Sequence, residues 1–133
     1  VSKVQKVLIV EDNDELCDLL SFHISELGPE VITANDISTA QALIESHDHF
    51  DAILIDLHFP GPQNGLDLVT WTRGLENTYK AKSRFILMTG QLNSQDTEEA
   101  HLLGVTQFLP KPFDSILLQD ILNSVFTKKS LAA

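Results

Sequence analysis

The sequence predicts a doubly wound α/β domain built on a parallel sheet, from three observations. Five short apolar runs, at 7–10, 31–34, 52–55, 85–88 and 106–109, are spread along the 133 residues. The first, third and fourth are continuous rather than alternating, which is the pattern of strands covered on both faces. Helical periodicities separate the runs, and a β-α order repeated five times selects right-handed crossovers onto one sheet.

Each helix has its own signal. The first carries Leu16, Leu19, Leu20, His23, Ile24 and Leu27 on one stripe, with Asn13 or Asp14 as its cap and Gly28-Pro29 as its end. The second starts at Asp36 and shows Ile37, Ala40, Leu43 and Ile44. The third follows Asn64-Gly65 and shows Leu66, Val69 and Thr72, with Trp71 off the stripe and partly covered by its neighbours. A short fourth holds Ala100 and Leu103, with Asp96 and Glu99 spaced as a capping pair. The fifth shows Leu117, Leu118, Ile121, Leu122 and Val125, is capped by Asp114, is stapled by Phe113 onto Leu118, and ends near Thr127. Cys17 and His23 read as helix-packing residues, and His47 and His49 as solvated residues near a helix end rather than a metal pair.

Composition excludes several classes. With 43% hydrophobic and 21% charged residues the profile is that of an ordinary globular domain. The length suits one domain over 1–133, with its core at about 6–126, and the tail after Thr127 is too short for an output domain. A single cysteine precludes an internal disulfide framework and fits a reducing compartment. No apolar stretch approaches the ~20 residues of a membrane span, and no charged-then-apolar leader opens the chain, so the expectation is a cytoplasmic protein. A net charge of −10 repels phosphate backbones and anionic lipid, so neither nucleic acid nor membrane is an expected direct partner.

The carboxyl ends of the strands carry the chemistry, because ligands of open α/β sheets bind there. Strand one is followed by Glu11-Asp12-Asn13-Asp14, strand three runs into Asp56, strand four ends in Thr89-Gly90, and strand five leads into Pro110-Lys111-Pro112. Glu11, Asp12 and Asp56 together repel one another unless a cation joins them, and an all-oxygen set suits Mg²⁺. The His58 carbonyl is a further oxygen ligand in reach of the turn after Asp56. A metal-flanked carboxylate is a nucleophile toward phosphorus, with Lys111 and the Thr89 hydroxyl on the transferred oxygens. Taken singly, each group has a plainer reading. Acids past a strand cap helices, a strand-end Thr is a β-former, a lysine between prolines lies in a loop, and Phe108 is core.

Together, Glu11-Asp12, the Ile-Leu-Ile-Asp at 53–56, Met88-Thr89-Gly90 and Pro110-Lys111-Pro112-Phe113 resemble the receiver domain of two-component response regulators over about residues 6–126. That resemblance implies a flavodoxin-like (βα)5 sheet of order 2-1-3-4-5. It implies that Asp56 accepts a phosphoryl group from a phosphohistidine on a histidine kinase or phosphotransfer protein. Mg²⁺ would be held by Glu11, Asp12, Asp56 and the His58 carbonyl. Thr89, Gly90 and Lys111 would meet the phosphate, and Phe108 would turn inward as the switch aromatic, altering the face of the fourth helix, fifth strand and fifth helix for an unidentified output protein or domain. His58 and Gln91 would flank the hydrolytic water. A cis Lys111–Pro112 bond is also implied. The protein would be a phosphoacceptor switch rather than an enzyme.

The sequence departs from the family pattern in places. The loop 59–65 is one residue longer, His58 stands where amide, acidic or aliphatic residues are frequent, and Gly90 replaces a frequent alanine. A haloacid-dehalogenase-type phosphatase fits less well: its second Asp, two residues past the nucleophile, is here His58, and its metal acids come late in the chain. A flavodoxin-type cofactor site lacks its phosphate loop after strand one, where the acids would repel the phosphate. A non-catalytic docking module would not need Asp56, Thr89 and Lys111.

Overall fold

Side chains on a strand point alternately to the two sheet faces, so one continuous apolar run serves two cores. Val7, Ile9, Ala52, Leu54, Ile86 and Met88 bury on one face. Leu8, Val10, Ile53, Ile55, Phe85 and Leu87 bury on the other. The computed structural model describes residues 5–91 and 93–132, with side chains as far as Phe126. Its elements are β1 (Lys6–Val10), α1 (Asp14–Ser25), β2 (Glu30–Ala34), α2 (Ile37–Ser46), β3 (Ala52–Asp56), α3 (Gly65–Arg73), α4 (Thr78–Ala81), β4 (Phe85–Thr89), α5 (Ser94–Leu102), β5 (Gln107–Pro110) and α6 (Ser115–Ala132).

The sheet is parallel throughout, in the order β2-β1-β3-β4-β5, the flavodoxin-like arrangement. Helices α1 and α6 cover the first face through Cys17, Leu20, Ile24, Leu118, Ile121 and Leu122. Helices α2, α3 and α5 cover the second through Ile37, Ala40, Ile44, Leu66, Val69 and Ala100. The order reverses direction at β1, so the crevice opens between the carboxyl ends of β1 and β3. Val10 pairs with Ile55, and Asp56 with Met88, which leaves the strand ends level.

Several expectations need correction. A one-turn helix, α4, lies between the third helix and β4, so the expected fourth and fifth helices are α5 and α6. Four residues are too few to show a periodicity. Asn93, not the Asp96–Glu99 pair, caps α5: its Oδ1 accepts the Asp96 N–H at 2.8 Å. Helix α6 continues past Thr127 to Ala132, since Lys128, Lys129, Leu131 and Ala132 are all good helix formers. Leu19 and Leu117 are exposed, because the buried stripes centre on Cys17-Leu20-Ile24 and Leu118-Ile121-Leu122-Val125. His47 and His49 are not solvated but half-buried against Phe50 and Tyr79, with ring centroids 5.1 and 4.1 Å apart. The expected caps Asn13, Asp36 and Asp114 all accept helix N–H groups.

One glycine ties the fold to the crevice. The Gly65 N–H donates to the Leu57 carbonyl at 2.8 Å, closing the loop that follows β3. Asn64 and Asp67 form a reciprocal capping box around it. A Cβ on Gly65 would overlap the Asp56 carbonyl oxygen and lie 3.1 Å from the Leu57 Cα. Backbone cannot yield as a flexible side chain does. Gly65→Ala should therefore cost about 3 kcal/mol, the upper end for overpacking. Asn64→Ala, which only loses a cap, should cost about 1 kcal/mol. Urea midpoints at unchanged slope measure both, and equal losses would show that the close approach is relaxed elsewhere.

Candidate functional site

Four strand ends deliver the site. Asp56 is the last residue of β3 and is 5% exposed. Its Oδ2 accepts from Lys111 Nζ at 2.7 Å, and its Oδ1 accepts the His58 backbone N–H at 3.1 Å. Glu11 follows β1, is 1% exposed, and is fixed by its own N–H donating to the Ala34 carbonyl of β2 at 3.0 Å. Its Oε2 accepts the Asn13 N–H at 3.1 Å, so part of its work is the turn into α1. Its Oε1 lies 2.9 Å from Lys111 Nζ as an ion pair without hydrogen-bond geometry, which leaves a buried oxygen with no hydrogen bond. Lys111 is placed by its N–H, which donates to the Thr89 carbonyl at 3.0 Å, and the Lys111–Pro112 bond is cis.

Asp12 is exposed, yet one carboxylate oxygen each from Glu11, Asp12 and Asp56 lies within 4.8 Å of the others. At that separation the buried Glu11–Asp56 pair repels by about 3–4 kcal/mol at an effective dielectric near ~20. Burial pushes the Glu11 carboxyl above its ordinary range, and the Asp56 charge adds to this, against the Asn13 N–H and Lys111. Burial by itself would lower Lys111, but the Asp56 hydrogen bond and the charges of Asp56 and Glu11 together raise it. Among the described residues only Lys111 forms ion pairs with this cluster. One lysine against three carboxylates leaves two charges over, the charge of a divalent ion. The all-oxygen set fits Mg²⁺.

The other expected site residues fall around this cluster. The Thr89 hydroxyl is buried and bound within its own loop, donating to the Gln91 carbonyl at 2.9 Å and accepting the Gln91 N–H at 3.1 Å. A Cβ on Gly90 would meet Lys111 only at 3.9 Å, so an alanine would fit there. His58 and Gln91 are exposed. Phe108 is partly buried against the α2-α3-α5 core, its ring edge-on to His101 at 5.9 Å. Sequence reasoning missed Gly65, the Ala34 carbonyl and the His58 N–H. Only Gly65 carried a signal, as the glycine behind Asn64 at a helix start.

A parallel sheet with buried acids, a lysine and a hydroxyl converging on its switch point defines a phosphoryl-accepting α/β module. The family model for the response regulator receiver domain matches residues 7–123, and the chain belongs to that family. It is 32% identical over 111 residues to the transcriptional regulatory protein CpxR of Escherichia coli, covering 84% of this chain and 44% of that protein. It is 27% identical over 129 residues to the chemotaxis protein CheY-3 of Vibrio cholerae, covering 96% of each. Among solved structures, the chemotaxis protein CheY4 of Vibrio cholerae superposes with a TM-score of 0.83 at 28% identity, over 92% of this chain and 99% of that one. A response regulator receiver protein of Pseudomonas putida gives 0.84 at 26% identity, over 93% and 99%. The chain spans under half the length of the first curated relatives it matches. Family and site together define this stretch as a Mg²⁺-dependent aspartyl-phosphate switch. No helix among the described residues is long and apolar enough to cross a membrane.

Lys111→Met keeps the stem and removes the charge, leaving Glu11 and Asp56 buried without a cation. It should cost about 2 kcal/mol without Mg²⁺, less than a fully buried pair because the lysine is 26% exposed. Glu11 adds a pH signature. Its folded pKa is raised, so the fold binds the proton more tightly than the unfolded chain, and the charged form opposes folding. The stability difference between native and Glu11→Gln protein should shift toward native as pH falls from the raised value to 4.5, and flatten below. Urea unfolding in Mg²⁺-free buffer checks both, and a pH-independent difference would contradict the burial of Glu11 as a charge.

Proposed function

We propose that this chain is a single receiver domain whose Asp56 takes a phosphoryl group from a phosphohistidine on a histidine kinase or phosphotransfer protein. The observation that carries the reading is the Asp56–Lys111–Glu11 ion-pair cluster, with Asp12 beside it, at the sheet's switch point. An Asp56 carboxylate oxygen attacks phosphorus, the N–P bond breaks, and the imidazole leaves with the electron pair. Glu11, Asp12, Asp56 and the His58 carbonyl would hold Mg²⁺, whose charge would offset the repulsion between the two anions.

The chain's own groups do the rest. Lys111 transfers its hydrogen bond from the carboxylate to a phosphoryl oxygen. The buried Thr89 hydroxyl exchanges its bonds with Gln91 for one to the phosphoryl group, beside Gly90. Phe108 then moves inward, reshaping the α5-β5-α6 face read by an output protein or a domain outside this stretch. A kinase or phosphotransfer partner docks at the start of α1, around 13–16. His58 and Gln91 flank the in-line water that ends the signal. The charge, the site and the family support a cytoplasmic location without direct nucleic-acid contact.

Acetyl phosphate with Mg²⁺ should label the native protein with acid-labile phosphate, and Asp56→Asn should abolish the label. Thr89→Ala should still be labelled while the Phe108 resonances stop responding. Full labelling of Asp56→Asn at another residue, or an unchanged Phe108 response in Thr89→Ala, would contradict the assignment. His58→Ala should change the rate at which the acid-labile phosphate is lost, and an unchanged rate would leave His58 a bystander.

A further inference from the structure

The opposite edge of the sheet carries a second concentration of charge, of the other sign. A cavity of about 240 Å³ opens at the amino ends of β4 and β5. Arg73, Lys82 and Arg84 line it, together with Gly104, Thr106 and Gln107, and none of its lining residues is acidic. Three of the nine lysines and arginines of a chain with net charge −10 thus share one small cavity. Among the described residues, none of the three has a carboxylate partner; both ion pairs there belong to Lys111.

Among the described residues, the two guanidiniums are held by carbonyls alone. Arg73 donates from Nε to Leu103 at 2.7 Å and from Nη1 to Ala81 and Ser83 at 2.8 and 2.7 Å. Its plane lies over Phe85, 5.3 Å from the ring centroid. These bonds fix the fork and use three of its five N–H groups, leaving the Nη2 pair. Nη2 lies on the side of Gly104, where an added Cβ would come within 3.8 Å of it. Gly104 has φ +82, a conformation that favours glycine, so the cavity wall beside Nη2 has no side chain. Arg84 donates one Nη1 bond to the Val125 carbonyl, which anchors the second fork. Half-burial strips water from both guanidiniums, and burial lowers the Arg73 pKa. Two anchored forks whose remaining donors have no partner among the described residues, with an exposed ammonium, a hydroxyl and an amide lining the same cavity, are the donor set of an oxyanion site.

We propose that this cavity binds a small polyanion bearing phosphate or carboxylate groups, at a site separate from the phosphoacceptor. The length of β4, five residues, separates it from Thr89 by roughly 15 Å at ~3.3 Å per residue. Because β4 ends in Thr89 and β5 carries Phe108, a ligand here braces the same two strands that the switch uses.

The test is an amide and arginine-Nε NMR titration of the native chain with sodium pyrophosphate, and separately with sodium citrate, at constant ionic strength in Mg²⁺-free buffer. Without Mg²⁺ the acidic cluster repels both probes, so the two sites are distinguished. Saturable shifts at Arg73 Nε, Gly104 and Gln107 are expected, and exposed Lys82→Glu should weaken them roughly tenfold or more. Should Lys82→Glu disturb the native spectrum, Lys82→Gln makes the same comparison. Tighter pyrophosphate would assign a phosphorylated ligand, and tighter citrate a polycarboxylate. Shifts that never saturate, that centre on Asp56 and Lys111, or that are as strong in the Lys82 variants would overturn the proposal.

Discussion

The repulsion among Glu11, Asp12 and Asp56 is the constraint on which the rest of this molecule turns. A fold that only needed stability would not bury two carboxylates at adjoining strand ends. Here the buried carboxylates are held by what surrounds them: the Ala34 carbonyl fixes the Glu11 backbone, the His58 N–H takes one Asp56 oxygen, and Lys111 bridges the two acids. Each support comes from a different strand end or loop, so the five-stranded parallel sheet is also the frame of the charge cluster. The excess of two negative charges that remains is what makes the site responsive to a divalent cation.

The same geometry explains why the site can act as a switch. Lys111 is tied through its backbone to the Thr89 carbonyl, and Thr89 is tied through its hydroxyl to Gln91. The catalytic edge and the loop leading to α5 therefore share hydrogen bonds. Phe108, one strand over, packs on the face covered by α2, α3 and α5, with His101 of α5 against its ring. A change of partner at Thr89 would thus reach a segment already packed against Phe108. The Gly65 contact works in the opposite sense. It clamps the backbone of Asp56 and Leu57 to the start of α3.

Much of this was legible in the sequence, for identifiable reasons. Continuous runs such as Ala-Ile-Leu-Ile at 52–55 can be satisfied only by burial on both faces, and β3 is buried along its whole length. The acids, Thr89 and Lys111 each stand at the carboxyl end of a strand run, so topology alone brought them to one edge. What escaped was set by tertiary contact. Leu19 has the spacing of a core residue, but the helix rotates so that Cys17 faces inward instead. His47 and His49 look like surface residues until Phe50 and Tyr79 fold against them. The clamp at Gly65 is a backbone approach across the loop after β3, and no periodicity encodes it. Nor does any motif announce the cationic cavity, whose arginines and lysine come from α3 and the segment before β4.

The most direct test of the central claim is the unfolding free energy of the native protein as a function of Mg²⁺ at constant ionic strength and neutral pH. Coupled binding of one ion to the folded state predicts a rise that follows the logarithm of Mg²⁺ concentration, reaching about 2.7 kcal/mol at a hundred times the dissociation constant. Asp12→Asn, at an exposed position, should shift that rise to higher Mg²⁺. A stability that Mg²⁺ leaves unchanged, or raises equally in the Asp12→Asn protein, would contradict the account of the three carboxylates as an unbalanced charge awaiting a cation.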